Sequence, residues 1–138
     1  MWNPPIALTL EEQKIAARSR KTRKFFVFLR ERRHELLDAD LQNTLAKSYS
    51  PEPTGKAPVE VGLLALALLL QAYCNTSDRD AVELTVMDKR WQMVLDCVGA
   101  AQPPFSQGTL FNFRMRLMAH NLDKTLLDRT VAIGRAHV

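Results

Sequence analysis

The stretch VGLLALALLL, residues 61–70, is the longest apolar run in the chain and the segment that decides its fold. Apolar side chains lie on nearly all sides of a helix with this sequence, which is typical of a central core helix. Because proline is tolerated at the first position of a helix, we expect a helix from about Pro58 to Tyr73. The run is well short of the roughly 18–20 residues that cross a bilayer, and the amino terminus lacks a secretory signal, so we expect a cytoplasmic protein.

Capping residues on both sides of this core predict further helices, and the alternation typical of strands is absent from the sequence. Thr9 and Glu12 have capping-box spacing, so a first helix begins there. A second follows from about Arg20 to Leu37, and the break between the two is left open. The caps of later helices are Asp38 or Asp40, Ser77, Asp88 and Ser106. The predicted fold is all-α: a compact multi-helix domain with a central apolar helix and a helix-turn-helix-like C-terminal part.

The stretch SPEPTGK, residues 50–56, is the best internal boundary, because two prolines and a glycine in seven residues predict a loop. It divides the chain into N-terminal helices, residues 1–50, and a helical core, residues 51–138. Residues 1–37 hold nine Lys/Arg and four Asp/Glu, a net charge of +5. Residues 38–138 hold ten and eleven, a net charge of −1. Such a local basic segment suits a polyanionic partner.

The basic segment is predicted to form an amphipathic helix with one packed face and one cationic face. Its apolar stripe consists of Phe25, Phe28, Leu29 and Leu36 at helical spacing. Cations on a rigid helix can neutralise DNA phosphates and release counterions, whereas the alternative is an ordinary solvated charged face. The cationic face carries Arg20, Arg23, Lys24, Arg30 and His34.

The helix that Ser106 caps has a second polar strip. Two apolar sides would hold this helix between neighbours: Phe113 with Leu117, and Phe111 with Met115 and Met118. The polar arc between them can hydrogen-bond to base edges or phosphates, as the recognition helix of a helix-turn-helix does. The alternative is an ordinary core helix with a polar outer strip. The arc consists of Thr109, Asn112, Arg116 and His120.

Asp80 and Glu83 share one face of the helix that begins near Ser77, and paired carboxylates can bind a metal or move protons. Acids are also favoured at a helix N-terminus, and these two could pair with Arg114, so we interpret them as structural. The histidines match no metal-ligand spacing, and no phosphate-binding loop is present. We therefore expect no cofactor in this chain. Two distant cysteines favour reduced thiols in the core.

An ordered set of short motifs between residues 49 and 117 resembles the N-terminal domain of insertion-sequence DDE transposases, the InsH-like group. The set begins with LL at 63–64, LLQ at 69–71 and SDRDAVE at 77–83. It continues with RW at 90–91, PPF at 103–105, TL at 109–110 and FRMRL at 113–117. The sequence departs from the family pattern at Phe111 and Asn112, where small polar residues and an arginine are usual, and this departure affects the positions that would read DNA.

The resemblance implies a transposase lineage and double-stranded DNA as partner, with terminal inverted repeats as the expected site. The family's catalytic aspartates and glutamate lie in a downstream RNase H-like domain. The resemblance therefore implies that strand transfer and its divalent metal do not belong to this chain. Asp78, Asp80 and Glu83 do not correspond to that catalytic triad.

The leading hypothesis is a DNA-binding and assembly module of an insertion-sequence transposase. One alternative is an assembly module in which the apolar helix from Pro58 and the aromatic residues mediate either dimerisation, which would give a homodimer, or docking to the catalytic domain. Another is a truncated remnant, or a regulator that competes with the full transposase. A metal-dependent nuclease acting alone is disfavoured, because it needs at least two well-placed carboxylates in a cleft. The candidate DNA contacts are Arg20, Arg23, Lys24, Arg30, Thr109, Asn112 and Arg116.

Overall fold

A computed structural model describes residues 1–49 and 58–137, which fold into α-helices without a β-strand in those ranges. This confirms the predicted all-α fold. The predicted loop at residues 50–56 lies outside the described ranges. No helix in these ranges is long and apolar enough to cross a membrane. The helices are α1 (Leu10–Thr22), α2 (Lys24–Leu36), α3 (Ala39–Ser48), α4 (Val61–Cys74), α5 (Asp78–Met87), α6 (Lys89–Val94), α7 (Gln107–Ala119) and α8 (Leu122–Ala136).

Helix α4 forms the centre of the core, as its composition predicts. Leu64, Leu66 and Leu70 have no exposed surface, and the two alanines between them, Ala65 and Ala67, are equally buried. The helix begins three residues later than Pro58 and ends at a residue in the left-handed conformation. The core uses most of the apolar surface of α4, although Tyr73 near its end is 43% exposed and Leu68 borders an open groove.

The residues that cap the helices are largely those that their spacing predicts. The Thr9 hydroxyl accepts from the Glu12 N–H at 3.1 Å, and the Glu12 carboxylate accepts from the Thr9 N–H at 2.9 Å. Asp38 rather than Asp40 caps α3, where it accepts from the Leu41 N–H at 2.9 Å. These contacts span three residues of sequence, which is why local spacing reveals them. Helices α5, α6 and α7 are capped by Ser77, Asp88 and Ser106.

Helices α1 and α2 are separate, which answers the question that the sequence left open. Arg23 joins them with φ −141° and ψ 77°, outside the helical region. Its N–H donates to the Ser19 carbonyl at 2.7 Å, which closes the last turn of α1. Both helices then pack against each other and against α6.

Residues 1–8, which we name the N-terminal strap, contain no helix and are held by side chains of α2 and α3. Gln42 accepts from the Trp2 N–H at 3.0 Å and donates to the Trp2 carbonyl at 2.8 Å. Arg33 donates to the Pro5 carbonyl at 2.9 Å. The indole of Trp2 packs on Gly62, where a Cβ would lie only 2.9 Å from Trp2 Cε3. Glycine at this position therefore lets the strap approach α4.

One core joins the two parts into which the sequence divides the chain. Its buried apolar residues run from Ile15 in α1 to Leu126 in α8, and α2 packs on α4, α6 and α8. Arg129 fixes α8 to the end of α2 by donating to the carbonyls of Glu35 and Leu36, each at 2.9 Å. The N-terminal helices are thus part of the same packed body as α4 in the described chain.

Candidate nucleic-acid interface

The junction of α1 and α2 carries five exposed cations, which we name the basic corner: Arg18, Arg20, Lys21, Arg23 and Lys24. No acidic residue lies between positions 18 and 24. Arg20 Nη2 is 3.3 Å from Glu31 Oε2 in an exposed ion pair, and Arg23 Cζ lies 5.8 Å from the centroid of the Tyr73 ring. Three of the predicted DNA contacts, Arg20, Arg23 and Lys24, therefore belong to one exposed surface.

An open cleft of about 610 Å³ lies beside the basic corner, between the end of α1 and the junction of α5 with α6. Arg18 and Lys21 line it from α1, and Lys89 lines it from α6. Arg90 also lines the cleft, but its Nη2 is 2.8 Å from Asp88 Oδ2. Burial alone would raise the pKa of Asp88, but hydrogen bonds from Arg90 outweigh it and lower that pKa. Since Asp88 is neutralised in this way, the exposed cations determine the charge of the cleft.

The prediction that Arg30 lies on the exposed cationic face is wrong. Its side chain is 1% exposed, and its Nε donates to Glu12 Oε2 at 2.9 Å. Its Nη atoms donate to the strap carbonyls of Ile6, at 3.1 Å, and Ala7, at 3.0 Å. The guanidinium is thus enclosed between α1, α2 and the N-terminal strap, where DNA does not reach it.

Arg33 is a second buried arginine, to which sequence reasoning gave no role. Its Nη1 donates to the carbonyls of Met93 (3.2 Å) and Val94 (2.9 Å) at the end of α6. Burial, with a smaller effect from the like charge of Arg30, lowers the pKa of the Arg33 guanidinium to about 10. It therefore stays protonated at neutral pH. Two of the nine basic residues in the first 37 serve the interior of the fold rather than its surface.

The polar strip of α7 is only partly exposed. Arg116 and His120 are exposed, whereas Thr109 and Asn112 are half-buried. The Ser106 hydroxyl accepts from the Thr109 N–H at 3.1 Å, and Asn112 has an interaction partner within the protein. Helix α7 packs mainly on α3, α4, α5 and α8, so its strip and the basic corner belong to different parts of the fold.

Helix α7 is packed on one side, and the prediction of a second packed side is wrong. Leu110, Phe113 and Leu117 have no exposed surface. The residues expected to form the second packed side remain open, because no helix in residues 1–49 or 58–137 covers them. These are Phe111, Met115 and Met118, which are 46%, 47% and 50% exposed.

Comparison with protein families gives a match that covers most of these elements. The family described as Transposase domain (DUF772) matches residues 13–116, which are 104 of the 138 residues. The chain belongs to this transposase domain family. No curated protein and no solved structure matches it. The matched part of the transposase domain includes the basic corner, Lys89 and the polar strip of α7 up to Arg116, and it ends before α8.

The acids at the start of α5 in the transposase domain have a structural contact that differs from the predicted one. Arg114 pairs with Asp78, with Nη2 2.7 Å from Oδ2, and not with Asp80 or Glu83. The hydrogen bond from Arg114 lowers the pKa of Asp78 against the opposing effect of its partial burial. Among the residues that the structure describes, no three His, Cys, Asp or Glu side chains are grouped so that they could hold a metal ion.

The two cysteines of the transposase domain form no disulfide and are half-buried, whereas the sequence predicted core thiols. Burial, with a smaller contribution from Asp96, raises the pKa of the Cys97 thiol to about 11. A thiol with so high a pKa stays protonated at neutral pH and is a weak nucleophile.

Three cations of this surface, Arg18, Lys21 and Lys89, were missed by sequence reasoning. The first two belong to the run RSRKTRK at residues 18–24, whose density of charge was the available signal. A helix that is predicted to begin at Arg20 leaves out Arg18 and places Lys21 on the side of its apolar stripe, because the sequence does not show that α1 continues to Thr22. Lys89 had no signal of its own, because only the packing of α6 against α1 brings it to the cleft.

Proposed function

We propose that this transposase domain is a DNA-binding and assembly module that acts in the transposition of an insertion-sequence element. Its DNA partner is double-stranded, and the terminal inverted repeats of the element are the specific site. The strand-transfer chemistry and its divalent metal belong, in this proposal, to an RNase H-like domain of the transposase. This chain, in the same proposal, binds the DNA and holds it in position.

The observation that carries the proposal is the basic corner. Five exposed cations lie within seven residues with no acid among them, and Lys89 extends them across the adjoining cleft. Cations held on packed helices neutralise phosphates with little ordering of the backbone, and each neutralised phosphate releases condensed counterions. Contacts of this kind fix the position of the protein on a duplex without reading its sequence.

Base reading, in this proposal, falls to α7. Arg116 is the member of its predicted strip with both exposure and charge, and arginine commonly donates two hydrogen bonds to guanine in the major groove. Thr109 and Asn112 are half-buried, so we assign them a supporting role beside Arg116. Arg116→Ala should therefore reduce the preference for the terminal repeat over a scrambled duplex and should have less effect on total affinity.

The test measures fluorescence anisotropy of a labelled terminal-repeat duplex and of a scrambled duplex over a series of salt concentrations. If the five cations of the basic corner engage phosphates, the plot of log affinity against log salt falls with a slope of about 4 to 5. The triple variant Lys21→Ala, Arg23→Ala and Lys24→Ala should reduce that slope by about 2 to 3 and weaken binding at least about tenfold at low salt.

A matched control removes the same charge elsewhere. Lys47, Arg79 and Lys124 are exposed cations on α3, α5 and α8, and their triple alanine variant should keep nearly all of the slope. Equal loss in both triple variants would show a general charge effect and would reject the basic corner as the site. Absence of binding by the unmodified chain at low salt would reject the DNA-binding proposal itself.

A further inference from the structure

The hairpin of α7 and α8 carries an unusual share of the exposed apolar surface. Ten large hydrophobic side chains are exposed in the described part of the chain, and five of them lie on this hairpin. They form what we name the hairpin patch: Phe111, Met115, Met118, Leu127 and Val131, which are 44–54% exposed. Exposed apolar side chains grouped on one hairpin can mark an interaction surface.

The helical spacing explains why these side chains lie together. Phe111, Met115 and Met118 are four and three residues apart, so they share one face of α7. Leu127 and Val131 are four residues apart on α8, and Leu127 lines the same open groove of about 680 Å³ as Met118. The two short stripes therefore meet at Met118 and Leu127.

One face of α8 is held against the core, so the opposite face of the helix is exposed to solvent. Leu126 and Thr130 are buried, and Arg129 bonds to the carbonyls at the end of α2. Leu127 and Val131 therefore stand away from the core. The groove beside them is lined by the ion pair of Asp78 with Arg114 and by Asp123 of α8, so Asp123 supplies the unbalanced charge there.

The charges of α8 indicate what covers this face. Asp123, Leu127, Val131 and Arg135 follow one another at intervals of four and form a single ridge of the helix, with an acid at its beginning and a base at its end. Asp123 and Arg135 are exposed, and neither forms an ion pair within residues 1–49 and 58–137. Each charge also suits the dipole of its own helix end.

This ridge is complementary to the same ridge of a second copy that is related to it by a two-fold rotation. A second copy of α8 that runs antiparallel places its Arg135 opposite Asp123 and its Val131 opposite Leu127, and the same contacts recur on the other side of the axis. Such self-complementarity is what an isologous two-fold interface requires. Charge and apolar contacts agree on one register, which favours a second copy of this chain over a partner of unrelated sequence.

We propose that the chain forms a two-fold symmetric dimer through antiparallel contact of α8, with Asp123 of each copy paired to Arg135 of the other. The inference rests on the assembly part of the proposed function. Helix α8 has 15 residues and is about 22 Å long, so one helix pair buries less than the roughly 1,200 Å² of a standard stable interface. Association is therefore weak, with a Kd of about micromolar or higher. The dimer carries two basic corners and can hold two DNA segments.

The test is sedimentation equilibrium of the full chain without DNA, over concentrations from about 5 to 500 µM, chosen to bracket a micromolar Kd. The unmodified chain should shift from monomer to dimer. Asp123→Arg alone, or Arg135→Asp alone, should weaken association at least about tenfold by placing like charges opposite each other. The double variant, Asp123→Arg with Arg135→Asp, should restore dimerisation, because the two reversed charges again face each other across the axis.

The double variant separates the proposed contact from the helix-dipole role of the same residues. Both of its charges oppose the dipole, so a purely structural role predicts that it associates no better than the single variants. Leu127→Gln should also weaken the dimer, whereas Leu10→Gln, at an exposed leucine of α1, should not. Thermal melts would confirm that each variant is folded.

A chain that stays monomeric at every concentration overturns the inference, as does a dimer that the single α8 variants leave intact. A double variant that fails to regain the dimer overturns it as well. None of these outcomes bears on the proposed DNA binding. That proposal is tested separately, by the fluorescence anisotropy of labelled duplexes mixed with the basic-corner variants. A monomer that binds DNA through the basic corner would leave the proposed DNA binding standing without this mode of assembly.

Discussion

The basic corner and the buried arginines of α2 contain the same kind of side chain in opposite surroundings. Arg20, Arg23 and Lys24 are exposed at the junction of α1 and α2, whereas Arg30 and Arg33 are each 1% exposed. Arg30 follows Arg20 by ten positions in the sequence. The difference teaches that the chemistry of a cation follows from which acceptors the fold brings to it.

Several acceptors of the two buried arginines are backbone carbonyls of the N-terminal strap, which has no helix to pair them. The N-terminal strap contains no helix, and the carbonyls of Pro5, Ile6 and Ala7 accept from arginines. Glu12 neutralises Arg30, so one full charge in the interior is paired. A buried guanidinium with a carboxylate and several carbonyls around it holds a strap in place without the apolar residues that a helix would use.

The largest expected effect comes from removing the charge of Arg30. Arg30→Met keeps much of the volume but leaves the Glu12 carboxylate unpaired inside the protein. Loss of one member of a buried ion pair costs about 3–5 kcal/mol of the free energy of unfolding. Urea denaturation followed by circular dichroism measures this change.

The matched exposed variant is Arg20→Met, whose ion pair with Glu31 is solvated and contributes about 0–1 kcal/mol. If the two variants have equal stability, the distinction drawn between the two regions fails. Limited proteolysis gives a second readout, since the strap should be cleaved faster in Arg30→Met than in Arg20→Met.

Much of the fold could be predicted because it depends on contacts that are short in sequence. The capping box of Thr9 and Glu12 and the cap at Asp38 join residues three apart, and the apolar run of α4 identifies itself. Arg30 could not be placed by such reasoning. Its partners lie 18 to 24 residues away, and the strap that encloses it has no periodicity to reveal its position.

Helical spacing also gave wrong predictions where a helix packs against more or fewer helices than its apolar pattern suggests. It gave α2 one packed face, but this helix contacts α1, α4, α6 and α8, so Arg30 and Arg33 are enclosed along with the apolar residues. It gave α7 two packed faces, but Phe111 and Met115 are nearly half exposed. The apolar periodicity of a helix does not show how many other helices will pack against it.

An intermediate effect is expected from acid, through Glu12. Burial raises its pKa, but the hydrogen bonds from Arg30 and from the Thr9 N–H outweigh burial, so the pKa is lower than usual. A carboxyl with a lowered folded pKa stabilises the protein fully above its unfolded pKa, and this stabilisation is lost as the pH falls through the folded value. Glu12→Gln keeps an amide oxygen that can accept from Arg30, so it should cost less than Arg30→Met, about 1–3 kcal/mol at neutral pH, and the cost should shrink below about pH 4.

Glu83→Gln is the control for the acid experiment, because Glu83 is exposed on α5. Its free energy of unfolding should follow that of the unmodified chain at every pH. If the Glu12→Gln difference stays constant from neutral pH into the acid range, Glu12 acts through packing and not through its charge, and the buried pair loses its assigned role.

The smallest expected effect on stability comes from the basic corner itself. Lys21→Ala, Arg23→Ala and Lys24→Ala each remove an exposed side chain, and surface changes away from special contacts usually stay within about 0.5 kcal/mol. The stacking of Arg23 on Tyr73 adds at most about 1 kcal/mol at an exposed site, so Arg23→Ala should be the costliest of the three.

Thermal melts at low and high salt measure the stability of all three variants. Removing like charges that lie close together should offset part of the loss at low salt, where repulsion among them is least screened. A triple variant that unfolds readily would show that these cations support the fold as Arg30 does, and the separation between a structural and a DNA-facing set of cations would then be lost.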